Sequence, residues 1–335
     1  MKSKKYRLFT WNELLDADFP AEMFWLDPYI VKGGITHLFG PKSTGKSPLQ
    51  WGWAHAIATG ELWLGLPTCK GRVLIIETDQ PAPTVAKRLN YTGKRLTEGV
   101  WFWEGPPLNV PAVDPGVMAE LAHMREVVKP DVVFFNTLRN TTLLPLEDGT
   151  TCRLVYGWAR ETFPGASLVF IHHPKKEPPS NVYLNMDEMF SGSNAWRNDA
   201  QIALHLRRTG RVKRRVQAML RMTGSQVGPI YSPLPMSLSV DGSTWDSPLF
   251  ENLKALKLLQ EELGLEGHAL DKAAVKAHIF GGITTARKNR LRMEQGFPGS
   301  SSWLGIEEGG GDGDDEGEED GEETQTSRVV VEAGS

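Results

Sequence analysis

The sequence predicts an α/β protein: a mostly parallel sheet with helices on both faces, a small C-terminal helical module and a disordered acidic tail. Three observations predict it. Short runs rich in β-branched and aromatic residues alternate with segments of helical pattern over about 200 residues. One of those runs passes straight into a glycine-rich loop that opens a helix. Residues 307–323 consist only of Gly, Asp and Glu, a composition that supports no core.

Each element has its own warrant. Residues 1–35 are aromatic-rich and read as an irregular segment packing on the core. Gly34 to Phe39 is a short apolar strand. Residues 48–60 read as a helix ending near Gly60. Arg72 to Ile76 is a β-branched buried strand. Gln80-Pro-Ala-Pro opens a helix over 82–90, and Trp101 to Trp103 forms a short strand. Residues 114–128 are helical, and Asp131 to Asn136 is a buried strand introduced by Pro130. Residues 150–162 are again helical, and Ser167 to Ile171 is a strand ending at His172-His173. Residues 174–195 are polar and loop-like, 196–206 suit helix or strand, and 211–240 have β character. A helix covers 250–262. The resulting units are 1–35, a core at 36–248, a C-terminal module at 249–305 and a tail at 306–335.

Composition narrows the function classes. Cys69 and Cys152 stand far apart with no Cys-x-x-Cys pair, which excludes a disulfide scaffold and a cysteine-based zinc site. The basic start lacks the apolar run of a signal peptide, and no segment reaches the ~18 apolar residues of a membrane span. A soluble, cytoplasmic protein is expected. The net charge of −4 conceals a division: residues 307–323 hold eleven acidic residues, whereas 1–306 carry 36 Lys+Arg against 29 Asp+Glu, a net of +7. A basic body with an acidic tail suits a nucleic-acid partner.

Gly40-Pro41-Lys42-Ser43-Thr44-Gly45-Lys46-Ser47 matches G-x-x-x-x-G-K-[ST] between a strand and a helix. The two glycines let the backbone curl so that its N–H groups point at phosphate oxygens. The helix N-terminus adds partial positive charge. Lys46 is expected to reach the β- and γ-phosphates of ATP, and the Ser47 hydroxyl to ligate Mg²⁺.

Ligand chemistry in an open parallel sheet gathers at the carboxyl ends of strands. Glu77 and Asp79 close one strand and can orient or deprotonate an attacking water; a solvated acidic strand end is the bland alternative. His172 and His173 close another and suit hydrogen bonding to a γ-phosphate, against simple capping.

These stretches together resemble a known family. GGITHLFGPKSTGKS, VLIIETDQP, KPDVVFFNTLRN, LVFIHHPKK and SGSNAWRNDAQIALHL occur in the order found in RecA-type ATPases of the plasmid RepA replicative-helicase group, cousins of the hexameric DnaB-like helicases. The resemblance covers about residues 22–240. It implies a RecA-like fold, Glu77 as catalytic glutamate, and His172 or His173 as sensor. It implies a homo-oligomeric ring, possibly a hexamer, on single-stranded DNA, with residues 177–195 and Lys175 and Lys176 facing the strand. Arg207, Arg208 and Arg221 are the candidates for an arginine donated to a neighbour's site; a solvated or DNA-facing basic face is equally consistent. One residue departs from the family pattern: Asn136 stands where an Asp should hold the water shell of Mg²⁺. The amide keeps an acceptor and loses the charge, which puts turnover in question more than binding.

Residues 268–297 have the cadence of a helix-turn-helix or winged helix, with helices at 273–279 and 285–294. Arg287, Lys288, Arg290 and Arg292 on the second suit phosphate contacts, or a solvated face of a packing module. The acidic tail solubilises, competes with DNA, or recruits another replication protein. The expectation is an ATP-hydrolysing DNA motor of helicase type. The alternatives are a loading or recombination factor on the same core, and a nucleotide-gated DNA-binding module with weak or no hydrolysis.

Overall fold

The computed structural model describes residues 10–15, 23–93, 98–173, 194–212, 215–227, 234–247 and 260–276, with positions 256, 258, 287 and 290. A short helix, α1 (Trp11–Leu15), precedes a two-stranded antiparallel pair, β1 (Phe24–Leu26) and β2 (Ile30–Val31). The aromatic segment is therefore not wholly irregular. Leu26, Tyr29 and Ile30 are buried in the core.

The main sheet then begins. In chain order its first elements are β3 (Ile35–Phe39), α2 (Lys46–Thr59), β4 (Val73–Glu77), α3 (Ala82–Asn90) and β5 (Val100–Glu104). They continue with α4 (Pro115–Val128), β6 (Val132–Asn136), α5 (Leu138–Thr141), α6 (Gly149–Thr162) and β7 (Ser167–His172). After α7 (Ala195–Asn198) come β8 (Ile202–Val212), β9 (Arg215–Ser225), β10 (Leu234–Leu238) and β11 (Trp245–Asp246), and α8 (Gly267–Lys276) follows. The nine strands run β11-β10-β9-β8-β3-β7-β6-β4-β5. The pairings from β8 to β5 are parallel, and those from β8 to β11 antiparallel.

The inner parallel strands β3, β4, β6 and β7 are buried on both faces, and successive residues feed opposite cores. Val73, Ile75, Val132 and Phe134 pack with α2 on one side. Leu74, Ile76, Val133 and Phe135 pack with the residues of α4 and α6 on the other. This is why these strands read as unbroken apolar runs. Asp114 and Asp148 cap α4 and α6 through their side chains. Helix α2 starts two residues earlier than expected, because Pro48 lies in the first turn, where a missing N–H costs nothing. The ambiguous stretch 196–206 splits into the end of α7 and the start of β8.

The C-terminal region departs from the expected pair of helices. Helix α8 starts at Gly267, six residues before the first expected helix. Of the second, positions 287 and 290 are described, both helical. The remainder of that helix, most of 250–262 and the acidic tail lie outside the described residues. Among the described residues, no helix is long and apolar enough to cross a membrane.

Candidate nucleotide site

The site forms where β3, β4, β6 and β7 end. Residues 40–45 link β3 to α2. Gly45 adopts φ 94°, left-handed space that favours glycine. A Cβ on Gly40 would run into the Leu206 carbonyl oxygen, and one on Gly45 into the Trp245 ring. The loop is thus pressed between its own fold and the antiparallel extension. The indole of Trp245 also donates to the Gly45 carbonyl at 3.0 Å.

Lys46 is 4% exposed and curls back into the loop, donating to the carbonyls of Gly40 (2.5 Å) and Pro41 (2.6 Å). Burial lowers its pKa to about 7, and the positive charge of Lys42 adds to the effect, while Asp79 opposes it. An ammonium held by two neutral carbonyls in a glycine-shaped cradle is fitted to exchange them for phosphate oxygens.

Glu77 and Asn136 are register partners on adjacent parallel strands. The Asn136 amide donates to Glu77 Oε2 at 2.7 Å, and the N–H groups of Asp79 and Gln80 donate to Oε1 at 3.0 Å each. Burial leaves the Glu77 pKa raised, and these three donors offset only part of that rise. Asn136 spends its N–H₂ group on Glu77, which leaves its carbonyl oxygen as the acceptor end. The following peptide, Asn136–Thr137, is cis.

A cavity of about 250 Å³ is lined by Lys42, Ser43, Gly45, Lys46, Ser47, Asp79, Asn136 and His173, and also by Gln80 and Arg88. The two histidines separate. His173 faces this cavity; burial and then the nearby Lys46 lower its pKa to about 4, so it is neutral near pH 7. Its Nδ1 has no hydrogen-bond partner among the described residues. His172 is buried instead, its ring 5.6 Å from that of His37. Adjacent residues at a strand end point to opposite faces.

Two lining residues, Arg88 and Gln80, were given no role from sequence. Arg88 stacks over Trp51 at 4.9 Å and donates to Gln80 Oε1 at 2.8 Å. The Gln80 amide lies 3.4 Å from Ser47 Oγ. Their only sequence signal was a polar pair at each end of α3. Trp245, 200 positions from Gly45, gave none.

A family model described as an AAA domain matches residues 3–179, more than half of the chain. The chain belongs to this family of P-loop ATPases. No curated protein matches it. For an AAA-domain protein the residues fit a Mg²⁺–nucleotide: a loop that excludes side chains at Gly40 and Gly45, a lysine on displaceable carbonyls, and the oxygens of Ser47 and Asn136 in one cavity. No cluster of three or more His, Cys, Asp or Glu able to hold a metal occurs among the described residues.

The other expected residues lie elsewhere. Arg207, Arg208 and Arg221 are exposed on the β8–β9 hairpin and do not line the cavity of their own chain. Arg290 is not open to a phosphate: its guanidinium pairs with the buried Asp271 carboxylate at 2.9 Å. An ion pair sequestered against α8 replaces the expected groove contact. Arg287 is exposed. Lys175, Lys176, Lys288, Arg292 and the 177–193 stretch lie outside the described residues.

Proposed function

We propose that the protein is an ATP-hydrolysing motor on single-stranded DNA, a ring-forming replicative helicase of phage or plasmid type. The observation that carries the reading is the Glu77–Asn136 pair at the ends of β4 and β6, where Glu77 is buried and Asn136 lines the phosphate-loop cavity, in a sheet extended by an arginine-bearing hairpin. Glu77, fixed through both oxygens, orients the attacking water. Lys46 leaves its loop carbonyls for the β- and γ-phosphates. Neutral His173 hydrogen-bonds the γ-phosphate, and Arg88 adds positive charge in cis. Mg²⁺, when bound, neutralises phosphate charge; Ser47 and the Asn136 carbonyl would hold it. A neighbour's Arg207, Arg208 or Arg221 completes the site across the ring, where preorganised charge lowers the barrier most.

The test is strand separation on a forked duplex, with sedimentation in ATP and Mg²⁺. The reading expects a ring and unwinding that Lys46→Ala abolishes. A monomer that separates no strands contradicts it.

A second reading, a nucleotide-gated DNA-binding factor with little turnover, has its own observation. Asn136 brings no charge to Mg²⁺ and donates a hydrogen bond that holds Glu77 in place. Tight ATP binding without turnover, with a preference for duplex, favours it.

A further inference from the structure

We infer that the β8–β9 hairpin is the docking surface for the chain's own acidic segment 307–323. This stands independently of whether ATP is hydrolysed. Residues 202–227 contain seven Lys+Arg and no Asp or Glu. Arg207, Arg208, Arg215 and Arg221 are exposed on the hairpin. Strand β9 runs regularly from Arg215 to Arg221, so residues 215, 217, 219 and 221 share one face. Arg207 pairs with Met219 and joins that face. Three arginines thus line one side of the ribbon over ~20 Å. The charges of Arg207 and Arg221 both bear on the buried His205 beneath them.

The occupant follows from composition. Segment 307–323 has eleven carboxylates interleaved with six glycines and no apolar side chain. It has nothing to bury, so only charge can seat it, and only a surface of one sign will do. Another basic run, 287–292, is a poorer match, because Asp271 already neutralises Arg290. The 17 residues from Arg290 to Glu307 span up to about 60 Å when extended. Seated there, the segment shields the same arginines from any other polyanion.

Arginine footprinting with phenylglyoxal on the full-length chain tests this. The comparison is a variant in which all eleven acids of 307–323 become Asn or Gln, with Arg153, 82% exposed, as internal reference. Modification of Arg207, Arg215 and Arg221 is expected to be at least threefold slower in the native chain at 50 mM salt. The difference should vanish at 0.5 M salt, where the screening length falls to roughly 4 Å. Equal rates in the two chains at low salt overturn the proposal. Protection that disappears on dilution also overturns it, because the segment then comes from a second copy.

Discussion

The Asn136 amide donates a 2.7 Å hydrogen bond to Glu77 Oε2 across the ends of two parallel strands. An aspartate at position 136 would set two carboxylates face to face at this distance. Like charges so close do not both ionise without a cation between them. Asn136→Asp is therefore expected to raise the Glu77 pKa. The acidic limb of the ATPase pH profile should move up by about one unit or more, and the Mg²⁺ requirement should steepen. A profile that stays in place shows that the pair is not part of the rate-limiting chemistry.

Lys46 has a folded pKa of about 7, lowered mainly by burial. At pH 8 it is mostly neutral, and a bound triphosphate restores its charge. Binding of ATP at pH 8 should thus take up a proton. At pH 6 the lysine is already charged, and uptake should be smaller. Calorimetry in two buffers of different ionisation enthalpy reads this directly; no buffer dependence at pH 8 contradicts it. His173, lowered to about 4, contributes nothing to a titration between pH 6 and 8 in the free protein.

Trp245 ties the antiparallel extension to the phosphate loop through its bond to Gly45 and its ring over that glycine. Trp245→Phe keeps most of the ring and loses the hydrogen bond, at about 1 kcal/mol. Trp245→Ala also opens a void and should cost about 3 kcal/mol. Both should weaken nucleotide binding, Ala more. Urea unfolding with nucleotide titration separates the effects, and unchanged affinity in Trp245→Ala would mean that the strap does not shape the loop.

Much of this was legible in sequence. The inner parallel strands declared themselves because each is apolar on both faces, and the loop because few residue types can cradle phosphate. Glu77 and Asn136 were legible as strand ends, but their bond was not: it depends on β6 lying beside β4. Trp245 and Arg88 were hidden for the same reason, since neither sits in a motif and only folding brings them to the loop. Arg290 misled because a row of cations on a helix looks the same whether or not a buried acid faces it. The β1–β2 pair was too short to give a period.

That acid supplies a further prediction. Asp271 is 1% exposed and pairs with Arg290, whose side chain is 12% exposed. Removing one partner strands the other charge, at a cost of about 3 kcal/mol. Asp271→Ala should loosen the C-terminal region without touching nucleotide affinity. Hydrogen exchange over 267–276 measures it; unchanged protection there would mean that the pair does not hold α8.

The most direct test of the central claim is the steady-state rate of ATP hydrolysis with Mg²⁺, with and without single-stranded DNA, using Lys46→Ala as the blank. The account predicts turnover that DNA stimulates and the substitution abolishes, with Asn136 in its native form. ATP binding with no turnover under either condition would contradict the motor and leave the nucleotide-gated binding factor in its place.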